Sequence, residues 1–371
     1  MYRFDKRIVI TLDAGGTNLV FGAMQSNDFI VDPITLPSNA QDLDLCLNTM
    51  VTGFQQIIDK LEEKPVAISF AFPGPADYPH GIIGGHLPNF PSFRNGVALG
   101  PFLEDKFGIP VYINNDGDLF AYGEAIGGVL PEINAKLAEL GSTKRYTNLL
   151  GYTFGTGFGI GMVIDNKLNR GNNSCVETFC LRHKKHPEVM VEEGVAIRAI
   201  KRVYAEQSGD INHTYEPKEI CEIAEGTRPG NQEAAIKAFE EFGEVAGDAI
   251  ATAITLTDSL VVIGGGLCGA RKYFMPALMK QLKGLLHTIK GEDLNRLQMK
   301  PFDLDNEDEF AQFAHGAARP IKVYGTDKTV IYDPMKATGV CISKLGASKA
   351  ISIGAYSFAL SMLDQETQQA Q

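Results

Sequence analysis

The chain contains no tryptophan and no apolar run as long as a membrane span. The first absence removes one common stacking side chain, and the second argues against a helical bilayer anchor. Basic residues are outnumbered, with 34 Lys and Arg against 45 Asp and Glu and a formal net charge of −11. Phosphate backbones are bound by clustered cations, so no nucleic-acid partner is expected, whereas a nucleotide held by backbone N–H groups remains compatible. The six cysteines, at positions 46, 175, 180, 221, 268 and 341, are scattered rather than spaced as a disulfide framework. That pattern points to a reducing, cytoplasmic setting. The opening MYRFDKRIVITLDAGG has charges on both sides of a short apolar run and no small-residue cleavage site, so it does not read as a secretory signal.

Glycine, by contrast, is plentiful, with 39 residues, and 44% of the chain is hydrophobic. This is the composition of a globular α/β protein, and 371 residues exceed one ordinary core, so two domains are expected. RIVITLDAGGTNLVFGAMQ reads as a hairpin turning at Gly15 and Gly16. NLLGYTFGTGFGIGMVIDNKLN repeats that plan, which suggests a duplicated unit. Apolar spacing predicts helices over AQDLDLCLNTMVTGFQQIIDKLEE, GVAIRAIKRVYAE, NQEAAIKAFEEFGEVAGDAIATAITLT and LGASKAISIGAYSFALSML. PVAISFAFPGP, PVYINN and DSLVVIGGG read as buried strands ending in loops. The expected boundaries are 1–118 for a small domain completed by a helix over about 346–371, and 119–345 for a larger domain elaborated at about 291–343. Within that elaboration DLDNEDEF reads as an acidic, solvated run, and YGTDKTVIYDPMKATGV offers one or two strands.

Three glycine loops carry the chemistry. In DAGGTN, glycines let the backbone approach a phosphate, Thr17 and Asn18 add donors, and Asp13 is placed to hold a hydrated Mg²⁺; a plain hairpin turn is the alternative. GTGFGIG continues into a strand, so it fits a phosphate-holding hairpin rather than a dinucleotide fingerprint, which opens a helix. GGGLCGA ends a buried strand, where glycine serves packing as readily as nucleotide binding. Phosphoryl transfer also needs an acceptor base. Asp116, at the carboxyl end of PVYINN, is the candidate, with N-capping of the next helix as the competing role and Asp118 as a rival cap.

DAGGTN, PGP at 73–75, PN at 88–89, NDGD followed by GE, GTGFGIG, GGG and LGAS occur in the order that resembles the ROK family of sugar kinases and sugar-responsive repressors. The resemblance implies two ribonuclease-H-like domains of the actin-like ATPase and hexokinase type with an interdomain cleft. It implies ATP-dependent phosphorylation of a sugar hydroxyl, O6 of a hexose, with Asp116 as general base and Asn115 beside it on the sugar. Gly74, Asn89, Glu177 and Glu192 are the further sugar residues so implied. Asp13, Gly15, Gly16, Thr17, Asn18, Gly155, Thr156 and Gly157 would serve phosphate and Mg²⁺, with Gly265 and Gly266 near adenosine. The family also makes a homodimer an expectation.

Several departures stand out. Asp118 replaces the family's Asn, Gly117 its Ala, and CVETFC stands where the family has its sugar-contacting and zinc-binding His. The Cys-rich zinc loop is missing, which argues against the usual structural zinc. CVETFCLRHKKH still offers Cys175, Cys180, His183 and His186 as donors, with His183 as a substitute sugar contact. Other readings are a silent sugar sensor or a regulator lacking a DNA-binding region, an actin-like ATPase and, least favoured, a dehydrogenase.

Overall fold

The structure is a computed structural model that describes residues 2–74, 76–211 and 214–369; Pro75 of the PGP motif lies outside the described residues. Two sheets are built on one plan. In the first, Val9–Ala14 pairs antiparallel with Asn18–Gln25 and parallel with Ala67–Ala71, which pairs parallel with Val111–Asn114. In the second, the order runs Lys167–Leu168, Phe158–Ile164, Leu149–Phe154, Leu260–Gly264, Ala337–Ile342, and the last three are parallel. Even the outer turns match. Ser26 and Asn27 in one sheet, and Asp165 and Asn166 in the other, all take φ between 52° and 69°. Two consecutive left-handed residues give a two-residue hairpin its proper twist. The duplication suggested by the glycine hairpins is therefore present as topology.

The parallel strands AISFA and LVVIG are buried along their whole length, which explains why they are continuous apolar runs rather than alternating ones. Helix Leu43–Ile58 covers the first sheet. Asp42 caps it by accepting from the Leu45 N–H at 3.0 Å, and Cys46, Met50, Phe54 and Ile57 form its buried stripe. Phe54 meets Phe21 of the sheet edge-to-face at 5.1 Å between ring centroids.

Contacts divide the chain into two compact units, Met1–Pro131 with Gly161–Val176 and Lys344–Gln371, and Glu132–Ile160 with Glu177–Ser343. The boundary expected at 118 instead falls inside a helix, Asp116–Gly127. That helix belongs to the first unit because it lies against the late helix Ala347–Gln369 with backbones touching. A Cβ on Gly123 would overlap the Ala350 carbonyl, and one on Gly354 would overlap the Leu119 carbonyl.

DLDNEDEF contributes the end of the strand Lys300–Asp303 and, through the cap Asn306, the start of helix Glu307–His315; its acids occupy a helix N-terminus, where the dipole favours them. Arg319–Lys322 and Thr329–Tyr332 form an exposed two-stranded ribbon, while Ala337–Ile342 enters the buried sheet. No helix among the described residues is long and apolar enough to cross a membrane.

The Gly354 contact sets a test. Because the overlapping atom is backbone, Gly354→Ala cannot be absorbed by a side-chain rotation, and a loss of about 3 kcal/mol in unfolding free energy is expected. Urea unfolding followed by circular dichroism measures it.

Candidate active site

The first unit gathers its candidate residues at the carboxyl ends of three parallel strands. Asp13 stands in register with Ala71, and Ala71 with Asn114, so the row of strand ends leads from Asp13 to the Asn114–Asn115–Asp116 turn. The Phe72 N–H donates to the Asn114 carbonyl at 2.9 Å, tying the PGP loop to the same edge. Asp13, Gly15, Gly16, Thr17 and Asn18 are all solvent-accessible there, except that the Gly15 N–H closes the hairpin on the Asn18 carbonyl at 3.0 Å. Asn89 lies against Gly16, where an added Cβ would come within 3.1 Å of the Asn89 Cβ. Gly74 sits beside the Tyr78 hydroxyl, which donates to the Phe72 carbonyl at 2.8 Å.

Asp116 is the first residue of its helix. Asn115 is the cap, its Oδ1 accepting from the Gly117 N–H at 2.7 Å, and Asp116 Oδ1 shares that donor at 2.9 Å. The expectation that Asp118 caps this helix is thus corrected, since the cap must precede the first helical residue. Asp116 keeps accessible surface. Lost solvation nevertheless raises its pKa, opposed by the Gly117 and Asp116 N–H groups and assisted by the negative charge of Asp13. A carboxylate that is accessible and also desolvated is a candidate for taking up a proton.

Asp118 is 6% exposed, and burial pushes its pKa up to about 7; Arg170 pulls it down and Asp116 adds to the rise. Arg170 is the unforeseen residue. Its Nη1 donates to Asn114 Oδ1 at 2.9 Å, and its guanidinium lies 5.1 Å from the centre of the Phe358 ring. It thereby links the end of the edge strand Val111–Asn114, the helix bearing Asp116 and the late helix. Asn114 is fully buried and its Nδ2 has no partner among the described residues. No local signal marked Arg170, because its partners lie far away in sequence.

In the second unit the GTG loop forms the tip between Leu149–Phe154 and Phe158–Ile164. Glu192 is joined to it, its Oε2 accepting from the Phe158 N–H at 3.0 Å. Gly265, at φ 97°, packs so closely on Phe154 that a Cβ would overlap the Phe154 carbonyl, whereas Gly266 faces open space. Of the two glycines assigned to adenosine, one therefore has a packing reason of its own. Glu177 is half-buried.

His183 is 1% exposed, with Nδ1 accepting from the Lys185 N–H at 3.1 Å and Nε2 enclosed beside Gly194 and without a partner among the described residues. Its surroundings are interior, and burial lowers its pKa. The His183 and His186 rings are 5.0 Å apart, and Cys175 and Cys180 are exposed. Among the described residues no group of three or more His, Cys, Asp or Glu side chains has the arrangement of a metal site.

Strand-end acids, a glycine hairpin in each sheet and the repeated topology agree with the family comparison: the ROK family model matches residues 9–301. The chain belongs to the ROK family. Among ROK structures it is similar to a glucokinase from Parabacteroides distasonis ATCC 8503, at 61% identity over 97% of this chain and 99% of that one, with a TM-score of 0.90. It is also similar to N-acetylgalactosamine kinase AgaK of Shewanella sp. (strain ANA-3), at 24% identity over 308 residues, 78% of this chain and 91% of that protein. A ROK glucokinase from Streptomyces griseus in complex with glucose and AMPPNP shares the fold at 18% identity and a TM-score of 0.58, covering 94% of this chain and 98% of that one.

Asp118 yields a pH prediction. Its folded pKa lies well above the ordinary carboxylate value, so between about pH 4 and pH 7 the folded state holds a proton that the unfolded state has lost. Stability from this group therefore falls as pH rises through that window. Asp118→Asn mimics the protonated form and should match the parent near pH 4, then exceed it in denaturation midpoint above pH 7, as measured by urea titrations across pH.

Proposed function

We propose that this ROK protein is an ATP-dependent hexose kinase of the glucokinase type, transferring the γ-phosphoryl group to O6 of the sugar with Asp116 as general base. The observation that carries the reading is Asp116 itself, a desolvated, accessible carboxylate at a helix start, at the ends of parallel strands and within the electrostatic reach of Asp13. The 61% identical glucokinase and the sugar kinases among the relatives support the substrate class. We further take the two compact units as the ribonuclease-H-like halves of an actin-like kinase.

In this mechanism the sugar hydroxyl gives its proton to Asp116 as its oxygen bonds to the γ-phosphorus and the bond to ADP breaks. The products are a sugar phosphate, ADP and a proton. Lost solvation raises the carboxylate pKa, which strengthens it as a base, while the Gly117 N–H favours its ionised form. Asn115, held by its cap bond, and Asn89, held against Gly16, orient the sugar beside it. Gly74, Glu177, Glu192 and His183 have less support as sugar contacts, and His183 least, given its enclosure. The exposed carboxylate of Asp13, beside a glycine turn, suits a hydrated Mg²⁺, which accepts oxygen ligands and retains water. Such an ion supplies charge neutralisation to the phosphates.

Asp116→Asn should lower kcat by at least about 10²-fold while sugar affinity changes little, as expected when a general base is lost. ADP release over a panel of hexoses with ATP and Mg²⁺, together with calorimetry of sugar binding, checks this. Parent-like turnover by the variant would remove Asp116 from its role. Sugar binding without ADP release by the parent chain would favour a silent sensor.

A further inference from the structure

The tip of the second glycine hairpin is held by three bonds, and a fourth joins the two side chains that make two of them. Phe158 N–H donates to Glu192 Oε2 at 3.0 Å, and Arg198 Nη2 donates to the other oxygen, Oε1, at 2.9 Å. Arg198 Nη1 donates to the Thr156 carbonyl at 3.2 Å, and the Ile197 N–H donates to the Gly155 carbonyl at 2.9 Å. Glu192 comes from the short turn Val191–Gly194, while Ile197 and Arg198 open the helix Ile197–Ser208, whose cap residue Ala196 makes no side-chain bond. The Gly155 carbonyl thus satisfies a helix N–H that the chain leaves without a side-chain cap. Gly157 completes the fit, since a Cβ there would stand 3.0 Å from Glu192 Oε2.

We propose that Glu192 and Arg198 are positioning residues for nucleotide phosphate, a carboxylate–guanidinium clamp that fixes the Gly155–Thr156–Gly157 tip, rather than ligands of the sugar or the phosphate. This rests on the kinase reading of that loop. Two carbonyl oxygens, which repel an anion, are turned into protein bonds. The N–H groups of Thr156 and Gly157 carry no hydrogen bond among the described residues and remain for a phosphate. Both Glu192 oxygens are already engaged, which argues against the sugar role implied by the family resemblance. Arg198 is shared between Glu192 and Glu193, the latter at 2.7 Å. With two carboxylates around one guanidinium the trio is net negative, so Arg198 is ill suited to receive a phosphate directly but well suited to bridge.

The test measures AMPPNP and glucose binding separately by calorimetry for the full chain and its Glu192→Gln, Glu192→Ala, Arg198→Lys and Arg198→Ala variants, with hydrogen exchange read at the Phe158 amide. The clamp predicts about tenfold weaker AMPPNP binding for each alanine variant, glucose binding within about twofold of the parent, and faster exchange at Phe158. Glu192→Gln, which keeps an acceptor for Phe158, should fall between parent and Glu192→Ala. The Glu192→Ala/Arg198→Ala double variant should be little worse than either single, because both act on one tip. Loss of glucose binding with AMPPNP binding intact would overturn the proposal in favour of a sugar ligand. Weaker AMPPNP binding in Arg198→Ala with Glu192→Ala unaffected would overturn it in favour of a direct phosphate contact. Should the alanine variants not fold, Glu192→Gln and Arg198→Lys carry the same comparison. If the parent binds no AMPPNP, the kinase reading fails, while unchanged Phe158 exchange in the variants would separately refute the clamp.

Discussion

In the kinase reading proposed above, the first unit is arranged around one carboxylate, stripped of part of its water yet still required to ionise. Desolvation raises the pKa of Asp116, and the N-terminus of its helix counters by supplying N–H groups to the ionised form. Neither influence holds without placement. The carboxylate must stay at the strand ends, so the helix bearing it is fixed against the late helix at Gly123 and Gly354 and linked to the strand through Asn114 and Arg170. The buried Asp118 just behind it adds a second acid whose charge is moderated by Arg170. An uncharged Asn there would need no such cation, which gives the departure at 118 and the presence of Arg170 a shared electrostatic reason.

The two sheets share a plan and divide the work. Each opens with a strand, a glycine tip and a second strand, followed by the same kind of left-handed two-residue turn. In the first sheet the opening strand reaches its glycines through Asp13, in the second through Phe154, a buried ring packed on Phe242 and Phe274. One hairpin therefore offers a carboxylate and the other an apolar base with a braced tip. The same topology thus supplies charge in one place and rigid backbone in the other.

Much of this was legible in the sequence because it is local. Strand ends followed by Gly, Asp or Asn, the apolar runs of buried strands, and the helical stripe that follows Asp42 all declare themselves within a few residues. Asp13 and Asp116 were readable for that reason, and the order of the motifs gave them a family. What escaped was settled by distant partners. Asp118 looked like a cap because caps are local, whereas its surroundings depend on Arg170. Glu192 gave no sign of reaching the Phe158 N–H, and Arg198 no sign of reaching the Thr156 carbonyl. The acids of DLDNEDEF are largely exposed, in keeping with their composition, but the helix that Asn306 starts was not announced by the run. Thr329–Tyr332 falls in the stretch expected to offer strands, whereas its partner Arg319–Lys322 is exposed throughout, so burial imposed no pattern by which it could be recognised.

The contact between the helices Asp116–Gly127 and Ala347–Gln369 also has a bearing on the order of events during synthesis. The helix that carries Asp116 emerges from the ribosome well before the helix that supports it, and the whole second unit is translated between them. Until that later segment arrives, the backbone surface around Gly123 has no partner, and the strand ends lack the support that sets their geometry. A nascent chain can thus hold its glycine hairpins early but fixes the helix that bears Asp116 only after the second unit has been made. Closing so long a loop slows folding. In return, the fixed geometry around Asp116 is confined to chains in which the segments of both units have been made.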